Sequence, residues 1–233
     1  TFFLFFVGYI SMGAAFVFFM SERNSVAPEY RTTMTISALI VGIAAFHYYY
    51  MRGVYVDTQV VSTEYRYMDW IITVPLMALK FPSLVGKDAI TDNKFAGLGF
   101  TGICFVGAII MIGFGYLGEA NIIENETIAL LLGGMGWAMI LVATGLPFGL
   151  YDGLGVDNSK IKEEVKWSTD ALRTFILVGW IIYPIGYLFN ENTYDLGNEE
   201  IMGVLYNIAD MINKIGFGVV AWMGAKKATA AMA

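Results

Sequence analysis

Ile201-Met-Gly-Val-Leu-Tyr-Asn-Ile-Ala-Asp210-Met-Ile-Asn-Lys214-Ile-Gly-Phe-Gly-Val-Val-Ala-Trp222 is the stretch whose reading decides the fold. As a helix it is long enough to cross the roughly 30 Å of a bilayer's hydrocarbon core, yet it carries an aspartate and a lysine. A lysine at the bilayer centre costs roughly 3 kcal/mol or more unless it is paired or chemically altered. Asp210 and Lys214 stand at i and i+4, where helical side chains face each other. The pair reads either as a packing salt bridge or as half of a reactive site, and the rest of the chain has to decide.

Six further apolar runs precede this one: Thr1–Met20, Met34–Met51, Tyr65–Leu79, Phe95–Leu117, Thr127–Leu150 and Ala171–Phe189. The third is short for a span unless Lys80 reaches up to the interface. The 233 residues are 57% hydrophobic and 15% charged, with a mean hydropathy of +0.61. That balance places the chain among all-α, polytopic membrane proteins and away from nucleic-acid-binding or soluble acidic modules. The short connections predict a single seven-transmembrane-helix bundle over residues 1–233.

The basic residues set the expected orientation. With the N-terminus outside and the C-terminus cytoplasmic, Arg23, Arg31, Lys80, Lys87, Lys94, Lys160, Lys162, Lys166, Arg173, Lys226 and Lys227 fall on the inner side. Only Arg52 and Arg66 fall outside, and Lys214 is buried. This is the asymmetry of the positive-inside rule. The net charge of −6 comes largely from the expected outer segments Glu119–Glu126 and Glu191–Glu200. Cys104 is alone, which excludes a disulfide framework or thiolate metal site. No basic segment precedes the first span, so no cleavable signal is visible, and a short leader is expected before Thr1.

Between spans, Ser21–Pro28 reads as a polar inner turn closed by proline. Gly53–Thr63, rich in β-branched residues, reads as an outer loop able to form a small hairpin. Asp152–Asp170 reads as the most charged and most mobile inner loop. Pro75 and Pro184 lie well inside spans and should kink them, with Pro147 near the inner end of the fifth. The glycines of the fourth and fifth runs suit close helix packing and also leave room for a flat ligand.

The third run supplies the strongest polar pattern. At about 100° per residue, Arg66, Asp69, Thr73 and Lys80 form one stripe along the helix, spanning both halves of the membrane. Arg66 and Lys80 can also be read as interface anchors, and Thr73 as bonding back to its own helix. Asp69 resists that reading, because a carboxylate more than a turn inside needs a partner. His47, the only histidine, lies at matching depth in the second run, where an Asp–His hydrogen bond is plausible. Trp70, Trp137 and Trp180 stand mid-span rather than in an interfacial belt. With Tyr183, Pro184 and Tyr187 they suggest either an aromatic core or a slot for a planar apolar molecule.

Together, Arg66-Tyr-Met-Asp-Trp-Ile-Ile-Thr-Val-Pro75, Trp180-Ile-Ile-Tyr-Pro184 and Asp210-Met-Ile-Asn-Lys214 resemble the microbial rhodopsins. The nearest branch is the proteorhodopsin-like proton pumps, and the likeness extends to Ser21–Ser25 and His47-Tyr-Tyr-Tyr50. The resemblance implies a light-driven outward proton pump in a bacterial plasma membrane, with all-trans retinal carried on Lys214 as a protonated Schiff base. It implies that Asp69 is primary counterion and proton acceptor, Asp210 second counterion, Arg66 their modulator and His47 the acceptor's partner. Tyr48 and Tyr183 would bond Asp210; Trp70, Met111, Trp137, Trp180, Pro184 and Tyr187 would line the pocket, with Met77 tuning colour toward green.

Lys80 departs from the commoner pattern, which has a carboxylic acid at the inner donor position, and makes the motif Asp69/Thr73/Lys80 of the rarer DTK type. An ammonium is a poor standing donor unless burial renders it neutral. By family pattern a chloride pump would lack the carboxylate at 69, and a sodium pump would carry Asn at 69 and Asp at 73. A sensor signalling through a partner is the principal alternative; a non-retinal receptor leaves Lys214 without purpose. Leu130 occupies the rim where antenna-bearing relatives have glycine. Family habit implies pentamers or trimers.

Overall fold

In the computed structural model, which describes residues 1–196 and 198–232 (Glu199 by its backbone alone), the chain is a bundle of seven membrane-length helical spans. Their 19–31 residues correspond to about 28–46 Å of helix at ~1.5 Å per residue. In chain order the helices are α1 (Phe2–Glu22), α2 (Arg31–Thr58), α3 (Thr63–Val85), α4 (Phe100–Glu119), α5 (Glu126–Thr144), α6 (Glu163–Leu177), α7 (Ile182–Phe189), α8 (Glu199–Asp210) and α9 (Phe217–Ala230). A 3-10 turn, Gly179–Ile181, joins α6 to α7 as one span. A π-helical segment, Met211–Gly216, joins α8 to α9 as another. Among the described residues there is no strand, only three isolated bridges.

Large apolar side chains such as Phe3, Phe46, Leu131 and Met135 point outward, as a lipid-facing surface requires. Charge is turned inward: Arg66, Asp69, Lys80, Glu119, Asp210 and Lys214 are all buried. The end of the bundle bearing Thr1 is the N-terminal face, and the opposite end the C-terminal face. Side-chain caps start three helices on the N-terminal face: Ser62, Asn125 and Asn198 accept the amides of Tyr65, Ile128 and Ile201. Such caps satisfy donors that the first turn leaves open.

Close packing explains part of the glycine pattern. A Cβ on Gly107 would come within 2.7 Å of the Gly136 carbonyl, and one on Gly136 within 2.5 Å of the Met111 amide, so α4 and α5 meet backbone to backbone. The sixth span breaks where Pro184 requires it. Its ring has no N–H for the carbonyl four residues back, at Trp180, and the turn before α7 tightens to 3-10 geometry. Beside it, the Gly179 carbonyl accepts from Asn213 Nδ2 of the seventh span at 3.0 Å, a bond of the kind lipid cannot offer.

Several expected boundaries are corrected. Gly53–Thr58 continues α2, which ends with Gln59 in the left-handed region (φ 59°), so no hairpin forms; helix is the conformation that satisfies its own backbone near lipid. The Asp152–Asp170 segment is not one loop, because α6 begins at Glu163. The remainder is tied down: Leu154 and Gly155 amides donate to Val142 and Ala143 carbonyls. Buried Arg173 donates to Thr144 O (2.9 Å), Asp152 O (3.2 Å) and Asn158 Oδ1 (2.8 Å). Pro147 lies beyond α5, which stops at Gly145 (φ 86°). The third span is longer than its apolar run, continuing through Lys80 and Pro82 to Val85.

Substituting Gly136 by valine should force α4 and α5 apart at a cost of about 1–3 kcal/mol. Thermal unfolding in detergent, followed by circular dichroism, should show a lower midpoint; an unchanged one would contradict the backbone contact.

Candidate functional site

The π-helical segment places Lys214 one widened turn beyond Asp210, facing α3. Lys214 Nζ donates to Asp69 Oδ2 and, at 3.1 Å, to Asp210 Oδ2. All three side chains are at most 2% exposed. Single-turn π segments recur at functional sites. The Asp210–Lys214 pair is therefore not an isolated i,i+4 salt bridge, because the lysine is shared between two carboxylates from different spans.

The carboxylates are bonded unequally. Asp210 Oδ1 accepts from Tyr183 Oη at 2.8 Å and Trp70 Nε1 at 3.1 Å; its Oδ2 accepts from Tyr48 Oη at 2.9 Å. Asp69 Oδ1, in contrast, has no hydrogen-bond partner in the protein. Asp69 therefore has acceptor capacity that Asp210 has already used. On the N-terminal side, Arg66 packs over the Tyr206 ring at 5.0 Å and donates to Asn207 Oδ1 at 3.3 Å. Two guanidinium nitrogens, Nε and Nη1, lack protein acceptors.

Toward the α4–α5 side, Lys214 closes one end of a cavity of about 330 Å³. Trp70, Met77, Met111, Trp137, Trp180, Tyr183, Pro184 and Tyr187 all line it, joined by Leu130 and by Gly115, Gly133 and Gly134. The walls are almost wholly apolar and aromatic. Trp137 is fixed by donating Nε1–H to Ile176 O at 2.9 Å, and Tyr187 by donating to Glu126 O at 3.1 Å. Tyr48 is not in the wall and reaches the site through Asp210 Oδ2 at 2.9 Å and the Tyr206 carbonyl at 3.5 Å.

The stripe on α3 is real as a face but not as a continuous chain. Arg66, Asp69, Thr73 and Lys80 are each at most 1% exposed. Thr73 Oγ1 bonds back to Asp69 O at 3.0 Å. Lys80 stands about 16 Å along the helix from Asp69 and does not snorkel: Nζ lies 4.7 Å from the Phe217 ring centre with no hydrogen-bond partner in the protein. The expected Asp69–His47 hydrogen bond is not formed. His47 Nδ1 instead pairs with Ile43 O at 3.0 Å; a carbonyl only accepts, so the N–H is on Nδ1 and a neutral ring has only Nε2 left to accept.

Glu119 is the largest departure. It reads in sequence as the start of an acidic outer loop, yet it is 1% exposed. Tyr206 Oη donates to its Oε1 at 2.5 Å, while Oε2 has no protein partner. No local pattern separates it from Glu124 and Glu126; its burial is produced by Tyr206, a distant residue in sequence.

A buried lysine held by two buried carboxylates beside an apolar, aromatic cavity within seven spans defines a class of membrane protein able to hold an apolar ligand against an amine. The chain belongs to the family described as bacteriorhodopsin-like protein, whose model matches residues 1–228. It is 36% identical over 222 residues to the blue-light absorbing proteorhodopsin of Gamma-proteobacterium Hot 75m4, covering 93% of this chain and 82% of that one. The crystal structure of Exiguobacterium sibiricum rhodopsin is similar at TM-score 0.79 and 32% identity, covering 99% and 97% of the two chains. Xanthorhodopsin, described as a light-driven ion pump with dual chromophore, matches at TM-score 0.80 and 27% identity over 99% and 94%.

Rhodopsins of this family bind a retinal chromophore, and the cavity suits one: it is apolar and has an amine in its lining. A Cβ on Gly133 meets nothing closer than 3.4 Å, so Gly133→Phe should fold and place its ring in the cavity. Retinal uptake, read from visible absorbance, should fall at least about ten-fold, with an unchanged circular dichroism spectrum; full uptake would mean that the cavity is not the binding site.

Proposed function

We propose that this protein is a light-driven outward proton pump, a transporter rather than an enzyme, carrying all-trans retinal on Lys214. The observation that carries the reading is the Lys214 amine held between Asp69 and Asp210 in the lining of the cavity. Kinship with proteorhodopsin and likeness to a light-driven ion pump support it. Bound to Lys214 as a protonated Schiff base, retinal would supply visible absorption and a light-driven change in where the Lys214 nitrogen presents its proton.

The protein's own groups divide the work. In the dark, Lys214 and Arg66 supply two positive charges against Asp69 and Asp210, so the site is balanced without water-exposed counterions. Asp69 is the acceptor, because its Oδ1 is free of protein donors. Asp210 stays in place, its oxygens held by Tyr48, Trp70 and Tyr183. His47, accepting only at Nε2, is suited to bond Asp69 once that carboxyl is protonated, and not before. Thr73 braces the helix at Asp69.

Lys80 occupies the inner side and relays a proton back to Lys214 after the outward transfer. The proton as cargo follows from the carboxylate at 69, which opposes an anion there. The N-terminal face is assigned to the outside by the distribution of Lys and Arg, in a bacterial plasma membrane, with pentamers or trimers as the assembly. A sensor signalling through a partner is the alternative, and kinship with proteorhodopsin and likeness to a light-driven ion pump favour pumping.

Cells carrying the protein and supplied with retinal should acidify the medium on illumination, and a protonophore should remove the change. Lys214→Ala should lose the visible band, and Asp69→Asn should keep it while losing acidification. A normal photocycle without any external pH change would favour the sensor. Separately, Lys80→Ala should slow late recovery at least about ten-fold at neutral pH; recovery unaltered across pH would remove Lys80 from the pathway.

A further inference from the structure

A groove of about 520 Å³ runs along the outer surface of the sixth span, away from Lys214 and its cavity. Trp167, Thr174 and Val178 stand on one face of this helix, with Trp167 and Val178 exposed. From Trp167 to Gly179 the groove follows about 18 Å of helix at ~1.5 Å per residue. One leaflet, half of a hydrocarbon core of roughly 30 Å, is about 15 Å deep. The deep end lies at Gly179, whose carbonyl is bonded to Asn213, the neighbour of Lys214. Phe175, also in the lining, packs where a Cβ on Gly216 would lie 2.9 Å from its ring. The groove thus backs onto the π-helical segment and opens toward the C-terminal face.

Its mouth is built from two unlike parts. The Pro147–Gly149 turn, closed by the Leu146 amide donating to Tyr151 O at 2.8 Å, holds Phe148 in the left-handed region (φ 58°). A bulky residue is a genuine outlier there, and this ring is 78% exposed beside the groove. The second part is Asp170, half-buried in the lining. Arg173 is already engaged by Thr144, Asp152 and Asn158, and reaches Asp170 Oδ1 only at 3.4 Å. Among the described residues that is the carboxylate's one side-chain contact, so it has acceptor capacity to spare. Thr174 Oγ1 is satisfied by Asp170 O at 2.9 Å and asks for no partner. Lys166, exposed and four residues before Asp170, stands on the same side of the helix.

An apolar channel one leaflet long, with an anion and a cation at its interfacial end, matches a zwitterionic lipid. We propose that the groove holds one phospholipid of the C-terminal-face leaflet. One acyl chain lies along the sixth span under Phe148, and a primary-ammonium (ethanolamine) headgroup bonds Asp170, with its phosphate toward Lys166. An ammonium gives the carboxylate charge-assisted N–H bonds, which a trimethylated choline cannot. A second copy of the chain packed here would have to bury Asp170 against apolar helix surface, at a cost a cationic headgroup avoids. Trp167 suits the headgroup level, where tryptophan is enriched. The site is independent of retinal and of pumping.

Native mass spectrometry of the purified full chain, titrated with phospholipids of identical acyl chains, tests this. One ethanolamine lipid should be retained at least about ten-fold more tightly than its choline or glycerol counterpart. Asp170→Asn should erase that preference while still retaining lipid. Thr174→Trp, which fills the groove, should lose the bound lipid with an unchanged circular dichroism spectrum. Leu39→Trp, at an exposed position on α2, should change neither. Should Thr174→Trp not fold, Phe148→Ser, in the turn outside the helices, should weaken retention at least about three-fold. Equal retention of all headgroups by wild type, a preference that survives Asp170→Asn, or undiminished retention in Thr174→Trp or Phe148→Ser overturns the proposal. So does a lipid-free dimer that Thr174→Trp dissociates, which would give the groove to a second copy.

Discussion

The charge on Lys214 organises the bundle. An ammonium at 2% exposure inside seven apolar spans tolerates no arrangement in which its counterions stand apart, and removing one partner from a buried pair typically costs about 3–5 kcal/mol. Asp210 comes with the same helix, one turn away. Asp69 has to be brought by another, which sets α3 against the π-helical segment and makes α3 the most deeply buried span. Tyr48, Trp70 and Tyr183 then reach Asp210 from α2, α3 and α7, so four spans are located by one carboxylate. Low dielectric strengthens each of these bonds and raises the cost of any left unmade.

Around that centre the molecule is asymmetric in a way that bears on direction. One side of Lys214 is the apolar cavity, with no ionisable group in its walls except tyrosines and Lys214 itself. Toward the N-terminal face lie Arg66, Asn207, Tyr206 and Glu119, a succession of polar groups. Toward the C-terminal face lies Lys80, set against the Phe217 ring and bonded to no protein acceptor. Polar groups thus follow Lys214 closely on one side, while on the other Lys80 stands about 16 Å along α3 from Asp69.

Much of this is written locally in the chain. The seven runs, the i,i+4 pair of Asp210 and Lys214, and the shared face of Arg66, Asp69, Thr73 and Lys80 are matters of composition and of 3.6-residue periodicity. Helix ends are less legible. Val54–Val56 looks like strand until the membrane's demand for internal backbone bonding extends α2 to Thr58. Asp152–Lys162 looks loose until Arg173, eleven or more residues away, gathers its carbonyls. Glu119 is illegible altogether, since only the approach of α8 distinguishes it from its acidic neighbours. His47 shows the converse: depth along a helix placed it level with Asp69, but rotation and its Ile43 bond decided its contacts.

Lys80 and Glu119 form an unplanned symmetry that sharpens the physical picture. Each is a buried ionisable side chain on one side of the Lys214 centre, and each has a polar atom with no protein partner. A buried group without a counterion is held most cheaply in its neutral form. Neutral lysine is a base awaiting a proton, and neutral glutamic acid is an acid holding one.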